Sequence, residues 1–284
     1  MITRNIGFIG GGNMARAIAG GLLRGGMHAT RLGIAEPVPA QCERLRRELF
    51  GARVSDDNAA IARDAEILLF AVKPQILKRV CRELAAVVQQ RKPLIVSIAA
   101  GPRSDDIDSW LGGGLSVVRV MPNQPALNDQ GVSAMFANPR CEAVQRDLAE
   151  KIMSAVGHVV WLDDEDLMDG VTAVSGTGPA YVYLLIDMMI EAAVSFGIEP
   201  STARALAVET ARGAASLALA EDESMPALID RVRSPGGTTM AAFELLDASD
   251  VRAIFAKAID AARERAAELA DLANKDDQHP DSNS

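Results

Sequence analysis

Residues 6–15 constrain the fold of this chain more than any other stretch. Ile6-Gly7-Phe8-Ile9 is a short apolar strand, and Gly10-Gly11-Gly12-Asn13-Met14-Ala15 follows it directly as G-x-G-x-x-A. Asn13 to Leu23 then carries Ala15, Ile18, Ala19, Leu22 and Leu23 on one helical face. A glycine pattern alone is weak. Set between a strand and a helix, it is the phosphate-binding turn of a dinucleotide-binding βαβ unit. Gly10 makes the tight turn, Gly12 lets a pyrophosphate approach the backbone, and Ala15 keeps the helix close to the sheet. Gly11, Asn13 and Met14 complete the turn and open the helix, where unpaired N–H groups and the helix dipole favour an anion.

The segments that follow keep alternating. Leu32–Ala35, Val54, Glu66–Val72, Leu94–Ala99, Leu115–Val120, Val132–Phe136 and His158–Leu162 read as strands. Ala40–Phe50, Asn58–Arg63, Ile76–Gln89, Ser104–Leu111 and Cys141–Ser154 read as helices. Such alternation implies an α/β fold, a Rossmann-type doubly wound parallel sheet. After Leu162 no convincing strand remains. Asp164–Phe196, Ser201–Ala220 and Asp250–Asn274 are long Ala-rich helical runs, the first interrupted at Gly176 and Gly178. The expected organisation is therefore a dinucleotide-binding domain over 1–163, an all-helical domain over 164–274 and a disordered tail over 275–284. Tyr181–Val194 is apolar on more than one face, which implies burial against a second subunit, with a compact monomeric bundle as the alternative.

Ligands of open α/β sheets bind outside the carboxyl ends of the strands. Three tripeptides end strands there: Val72-Lys73-Pro74, Ala99-Ala100-Gly101 and Met121-Pro122-Asn123. Glu36 ends the second strand about 20 residues after the glycines, where an acid commonly takes the ribose 2′-hydroxyl and favours NAD. Arg31, Arg44, Arg46 and Arg47 are near enough in sequence to offer a 2′-phosphate partner, so NADPH and NADH both stay open.

Ser234-Pro235-Gly236-Gly237-Thr238-Thr239 leads into the apolar run Met240–Leu246. Glycines allow a sharp turn and close approach, and a helix start offers unpaired donors. The segment suits a small carboxylate or phosphate.

Other features exclude alternatives. The net charge of −9 argues against nucleic acid as the main partner. Cys42, Cys81 and Cys141 fit neither a metal motif nor a disulfide framework, so no metal is expected and a reducing cytoplasm is the simplest setting. No signal peptide is recognised, and no apolar run is judged to reach the ~18 residues of a membrane span. Between Lys151 and Lys257 there is no lysine, and only Tyr181 and Tyr183 are conventional proton donors in the helical domain. That weakens a β-hydroxyacid dehydrogenase reading. A cyclic imine can be protonated before hydride arrives, so binding and orientation carry more of its reduction.

These residues resemble a known family. Ile6–Ala15, Ala71–Pro74, Val96–Gly101, Met121–Ala126, Ser175–Tyr181 and Ser234–Thr239 resemble, in order, the motifs of pyrroline-5-carboxylate reductase. The resemblance implies NAD(P)H-dependent reduction of Δ1-pyrroline-5-carboxylate to L-proline, the last step of proline synthesis. It implies an intertwined homodimer, often assembled further into a ring of dimers such as a decamer. The active site would lie between the first domain of one subunit and the helical domains of the dimer. Carried over by position, Thr238 and Thr239 would hold the substrate carboxylate, with Gly237 and Ser234 assisting. The Thr239 hydroxyl would be a proton donor, and Glu165 would lie at the substrate pocket. Asn58 would contact the adenosine ribose, and Val72, Lys73, Pro74, Ala99 and Asn123 the rest of the cofactor. Arg231 and Gln124 depart from the usual pattern, Arg231 as a potential phosphate partner. Other readings are a reductase of another small imine or carboxylate, and a dinucleotide sensor without turnover.

Overall fold

The computed structural model describes residues 2–275. The chain forms two compact units. One runs to Gly176 and takes in the chain again from Ala262; the other is Thr177–Ala261.

In the first unit β1 (Ile6–Ile9), α1 (Asn13–Arg24), β2 (Leu32–Ala35), α2 (Pro39–Glu48), β3 (Arg53–Ser55), α3 (Asn58–Asp64), β4 (Ile67–Phe70), α4 (Pro74–Arg91), β5 (Leu94–Ser97), α5 (Ser104–Trp110) and β6 (Val117–Met121) alternate. β7 (Gly131–Ala137), α6 (Ala143–Met153) and β8 (Gly157–Trp161) follow. The eight strands are ordered β3-β2-β1-β4-β5-β6-β7-β8. Six of the seven pairings are parallel, as expected, and β7 runs antiparallel to β6. The link over 122–130 contains only a 3-10 turn, Gln124–Asn128. It is too short for the crossover of a dozen or more residues that a parallel pair requires.

The central strands are buried on both faces, which explains their unbroken apolar runs. Phe8, Ile34, Leu69 and Val96 pack with Ile18, Leu22 and Ile152 on one side. Ile9, Leu68, Phe70 and Ile95 pack with Ile61, Leu77 and Ile107 on the other.

Beyond β8 the chain makes a 3-10 turn (Glu165–Leu167), α7 (Met168–Val171) and a π-helix (Thr172–Gly176). This stretch belongs to the first unit because Glu165 anchors it. The buried Glu165 carboxylate accepts from the Ser104 N–H at 2.8 Å, the Ser104 hydroxyl at 2.7 Å and the Arg119 guanidinium at 3.2 Å. Arg119 is itself buried, and Asp169 approaches it at 3.9 Å. The break between the two compact units falls at Gly176.

The second unit contains α8 (Gly178–Ser195), α9 (Pro200–Ala220), α10 (Met225–Val232), α11 (Thr238–Ala248) and the first part of α12 (Val251–Lys275). α10 was not expected from the sequence, although Ser224 caps it and Pro226 sits in its first turn. No residue of α8 is buried within the chain, and Val182, Leu184, Leu185 and Met188 are about half exposed. The expectation of no span-length apolar stretch needs correction. Glu165–Ser195 is long and apolar enough, by length and composition, to cross a membrane. Of the expected tail, Lys275 ends α12, and 276–284 lie outside the described residues.

Replacing Glu165 by Ala strands the Arg119 charge in the protein interior. We expect a loss of about 3–5 kcal/mol in urea denaturation, partly regained when Arg119→Met is added. A loss below about 1 kcal/mol contradicts the anchor.

Candidate active site

The sheet order reverses between β1 and β4, and the connections leaving those strands diverge to opposite faces. The crevice so formed is a groove of about 350 Å³. It is lined by Gly12, Asn13 and Met14 from the glycine turn, 71–74 after β4, 98–100 after β5, and Met121 and Pro122 at the end of β6.

Its geometry fits a dinucleotide. Gly10 has φ +96°, and a Cβ there would lie 2.8 Å from the Ala71 carbonyl oxygen. Only glycine permits that conformation and that approach together. A Cβ at Gly12 would meet nothing within 4 Å, so the space over the α1 N-terminus is open. No side chain caps that helix end, and its first-turn N–H groups remain available to a phosphate. Val72, Lys73, Pro74 and Ala99 all line the groove; Lys73 is exposed and Ala99 buried.

Three expected cofactor contacts stand differently. Glu36 is buried and hydrogen-bonded within the chain: its carboxylate accepts from the Gly11 N–H at 2.9 Å and the Val38 N–H at 3.0 Å. It braces the turn from beneath. Asn123 is also hydrogen-bonded within the chain. Its amide donates to the Ser175 carbonyl at 3.2 Å and accepts from the Val132 N–H at 3.0 Å, tying the end of β6 to β7 and to the π-helix. Asn58 opens α3 past the carboxyl end of β3 but does not line this groove.

The basic residues sort in the same way. Arg44 pairs with Glu48 at 2.7 Å, and Arg46 donates to the Val54 carbonyl at 3.4 Å. Arg31 precedes β2 and donates to Asn5 at the amino ends of the strands, the wrong edge for a phosphate at the glycine turn. Arg231 pairs with Glu221 and Glu223 at 3.3 and 3.4 Å.

The segment expected to bind an anion lies in the second unit. The Gly237 N–H donates to the Ser234 carbonyl at 3.0 Å, and Gly236 has φ +69°. Pro235 in second position and a positive φ in third make a type II turn. The turn ends on Gly237, the N-cap of α11, which has no side-chain cap. A Cβ at Gly237 would lie 2.5 Å from the Ser234 hydroxyl oxygen, so the missing side chain is what lets Ser234 fold over the turn. Thr238 and Thr239 are first-turn residues, the former exposed and the latter half-buried. Glu165, expected at the substrate, is occupied by Ser104 and Arg119 as described.

A family model described as pyrroline-5-carboxylate reductase dimerisation matches residues 165–269. Another, described as NADP oxidoreductase coenzyme F420-dependent, matches residues 5–101. The pyrroline-5-carboxylate reductase of Pseudomonas aeruginosa is 43% identical over 95% of this chain and 98% of its own length. The chain belongs to the pyrroline-5-carboxylate reductase family.

Solved structures agree with that membership. A pyrroline-5-carboxylate reductase from Coxiella burnetii superposes with a TM-score of 0.89 at 39% identity, covering 95% of this chain and 99% of that one. The Plasmodium falciparum pyrroline carboxylate reductase, with NADP bound, gives 0.85 at 26% identity, covering 95% and 99%. Sequence reasoning did not find that Ile98 lines the groove, nor the partners of Glu36, Asn123 and Glu165. The apolar run through Ala99 was a signal for the first; the others join residues distant in sequence.

The brace at Glu36 is testable. In Glu36→Ala the buried Gly11 N–H loses its acceptor, a change worth about 1–3 kcal/mol. We expect KM to rise about tenfold or more for NADH and NADPH alike. A rise confined to NADH identifies a ribose contact and contradicts the brace.

Proposed function

We propose that this chain catalyses the NAD(P)H-dependent reduction of Δ1-pyrroline-5-carboxylate to L-proline, the last step of proline biosynthesis. The observation that carries the reading is the uncapped start of α11 behind a glycine-dependent turn, in a chain that also holds a dinucleotide groove. A dinucleotide sensor has no need of a second small-anion site. A β-hydroxyacid dehydrogenase is disfavoured because α8 and α9 carry no lysine.

The first-turn N–H groups of Thr238 and Thr239 hold the substrate carboxylate, and the helix dipole adds to their attraction. Gly237 leaves room for Ser234, whose hydroxyl assists. The Thr239 hydroxyl lies at the ring nitrogen and donates or relays its proton. Gly10, Gly11, Gly12, Asn13 and Met14 hold the pyrophosphate, with Val72, Lys73, Pro74 and Ala99 along the groove. Glu36, Asn123 and Glu165 act by holding those segments in place. Bound in the groove, a reduced nicotinamide supplies the hydride that forms the new C–H bond at the imine carbon. The accompanying proton goes to the ring nitrogen, giving a secondary amine. An imine protonated in advance needs little further acid catalysis, so orientation and charge carry most of the rate.

The apolar α8 faces another subunit in this reading. The span-length stretch Glu165–Ser195 lies wholly inside the region matched by the dimerisation model, so a homodimer buries it rather than a membrane. A ring of dimers, up to a decamer, is the larger assembly we infer. The cytoplasm is the inferred setting, consistent with three free cysteines. Burial pushes the Cys81 thiol up to about 12 and that of Cys141 to about 11, which keeps both protonated and inert at neutral pH.

The test is the initial rate of NADPH and NADH oxidation with pyrroline-5-carboxylate, a six-membered cyclic imine and a β-keto acid. Fast turnover of the five-membered imine is expected, with Thr239→Ala lowering kcat at least tenfold while cofactor affinity stays unchanged. Cofactor binding without turnover of any imine overturns the reading in favour of a sensor.

A further inference from the structure

Arg233 is the residue immediately before the Ser234–Gly237 turn, and neither the groove nor the turn as described makes use of it. Its backbone ends α10 with φ −96° and ψ 67°. Its side chain runs back along α11, the helix that the turn itself opens. The guanidinium carbon lies 5.0 Å from the ring centre of Phe243, and one terminal nitrogen is 3.2 Å from an Asp247 carboxylate oxygen. Phe243 and Asp247 are four residues apart and so share one face of α11. The turn is therefore closed twice: covalently where Gly237 enters the helix, and through Arg233 onto the same helix two turns further on.

Two further facts give the contact a purpose. The Nε of Arg233 is shielded from solvent and has no hydrogen-bond partner. A donor left unpaired away from water is costly and invites an acceptor. The turn itself, Ser234 to Thr239, contains no charged side chain. Backbone donors alone bind a carboxylate through partial charges, so its recognition depends on how firmly the turn is held. Arg231, two residues earlier, does not hold it, since Glu221 and Glu223 flank its guanidinium. Among the described residues Asp247 is the ion partner of Arg233, and that carboxylate is half exposed to solvent.

We propose that Arg233 is a positioning residue for carboxylate recognition: it straps the Ser234–Gly237 turn to α11 through Phe243 and Asp247. The inference rests on the function proposed above. It predicts an effect on carboxylate affinity and not on the chemical step, because the guanidinium acts through the turn and not on the reacting atoms.

The experiment compares the full-length protein with Arg233→Met, Arg233→Lys, Asp247→Asn and the double variant Arg233→Met/Asp247→Asn. Steady-state kinetics with pyrroline-5-carboxylate are read beside calorimetric affinity for L-proline and for NADPH. Arg233→Met is expected to raise KM for the imine and Kd for proline together by about tenfold, the scale of one charge-assisted contact. Its kcat stays within about twofold and its NADPH affinity is unchanged. Arg233→Lys, which keeps the charge but neither the planar stack nor the fork, falls between parent and Arg233→Met. It decides the matter if the Met variant does not fold. Asp247→Asn weakens proline binding less than Arg233→Met, and the double variant is no weaker than Arg233→Met alone. Unchanged KM and proline affinity in the Arg233 variants overturn the inference, as does a loss confined to kcat. A parent protein that fails to reduce pyrroline-5-carboxylate overturns the proposed function, and this inference with it. An active parent with indifferent variants overturns the inference alone.

Discussion

The crevice between the ends of β1 and β4 is the constraint on which the rest of the first unit depends. β2 and β3 build outward from one side of β1, and β4, β5 and β6 from the other. The chain must therefore leave β1 and β4 toward opposite faces, and a gap opens between the two exits. Gly10 turns against the Ala71 carbonyl at a distance no side chain tolerates, and Gly12 keeps the mouth of the gap clear. Glu36 reaches under the turn to hold the Gly11 N–H. The buried strands make the frame rigid, and the glycines make it open in one place.

A similar economy governs the second unit. The Ser234–Gly237 turn is set by one positive φ at Gly236 and by the absence of a side chain at Gly237. Both conditions serve a helix end left free of caps. Three other helices are capped by side chains: Asp57 at α3, Glu199 at α9 and Ser224 at α10. The two helix starts without caps that follow glycines, α1 and α11, are the two that the proposed chemistry requires for anions.

Much of this was legible in the sequence because it is local. Residues 6–15, the apolar strands β4 and β5, and the turn before α11 each declare themselves through spacing and glycine placement. What escaped was set by partners far along the chain. Glu36 reads as a ribose ligand from its place after β2, and its bonds to the Gly11 and Val38 N–H groups are not visible in the sequence. Asn123 and Glu165 read as site residues, and the structure adds their bonds to Ser175 and Val132, and to Ser104 and Arg119. The reversal of β7 was hidden because direction depends on the length of the link, not on strand composition. α10 was missed because its run is short, although Ser224 marked its start.

The central claim is that a hydride reaches the imine carbon of a carboxylate-bearing five-membered ring. The most direct measurement incubates the protein with pyrroline-5-carboxylate and NADPH or NADH deuterated at the nicotinamide C4, then examines the product by NMR. The account predicts L-proline carrying one deuterium at C5. Proline without deuterium, or no proline while the cofactor is still bound, would contradict it.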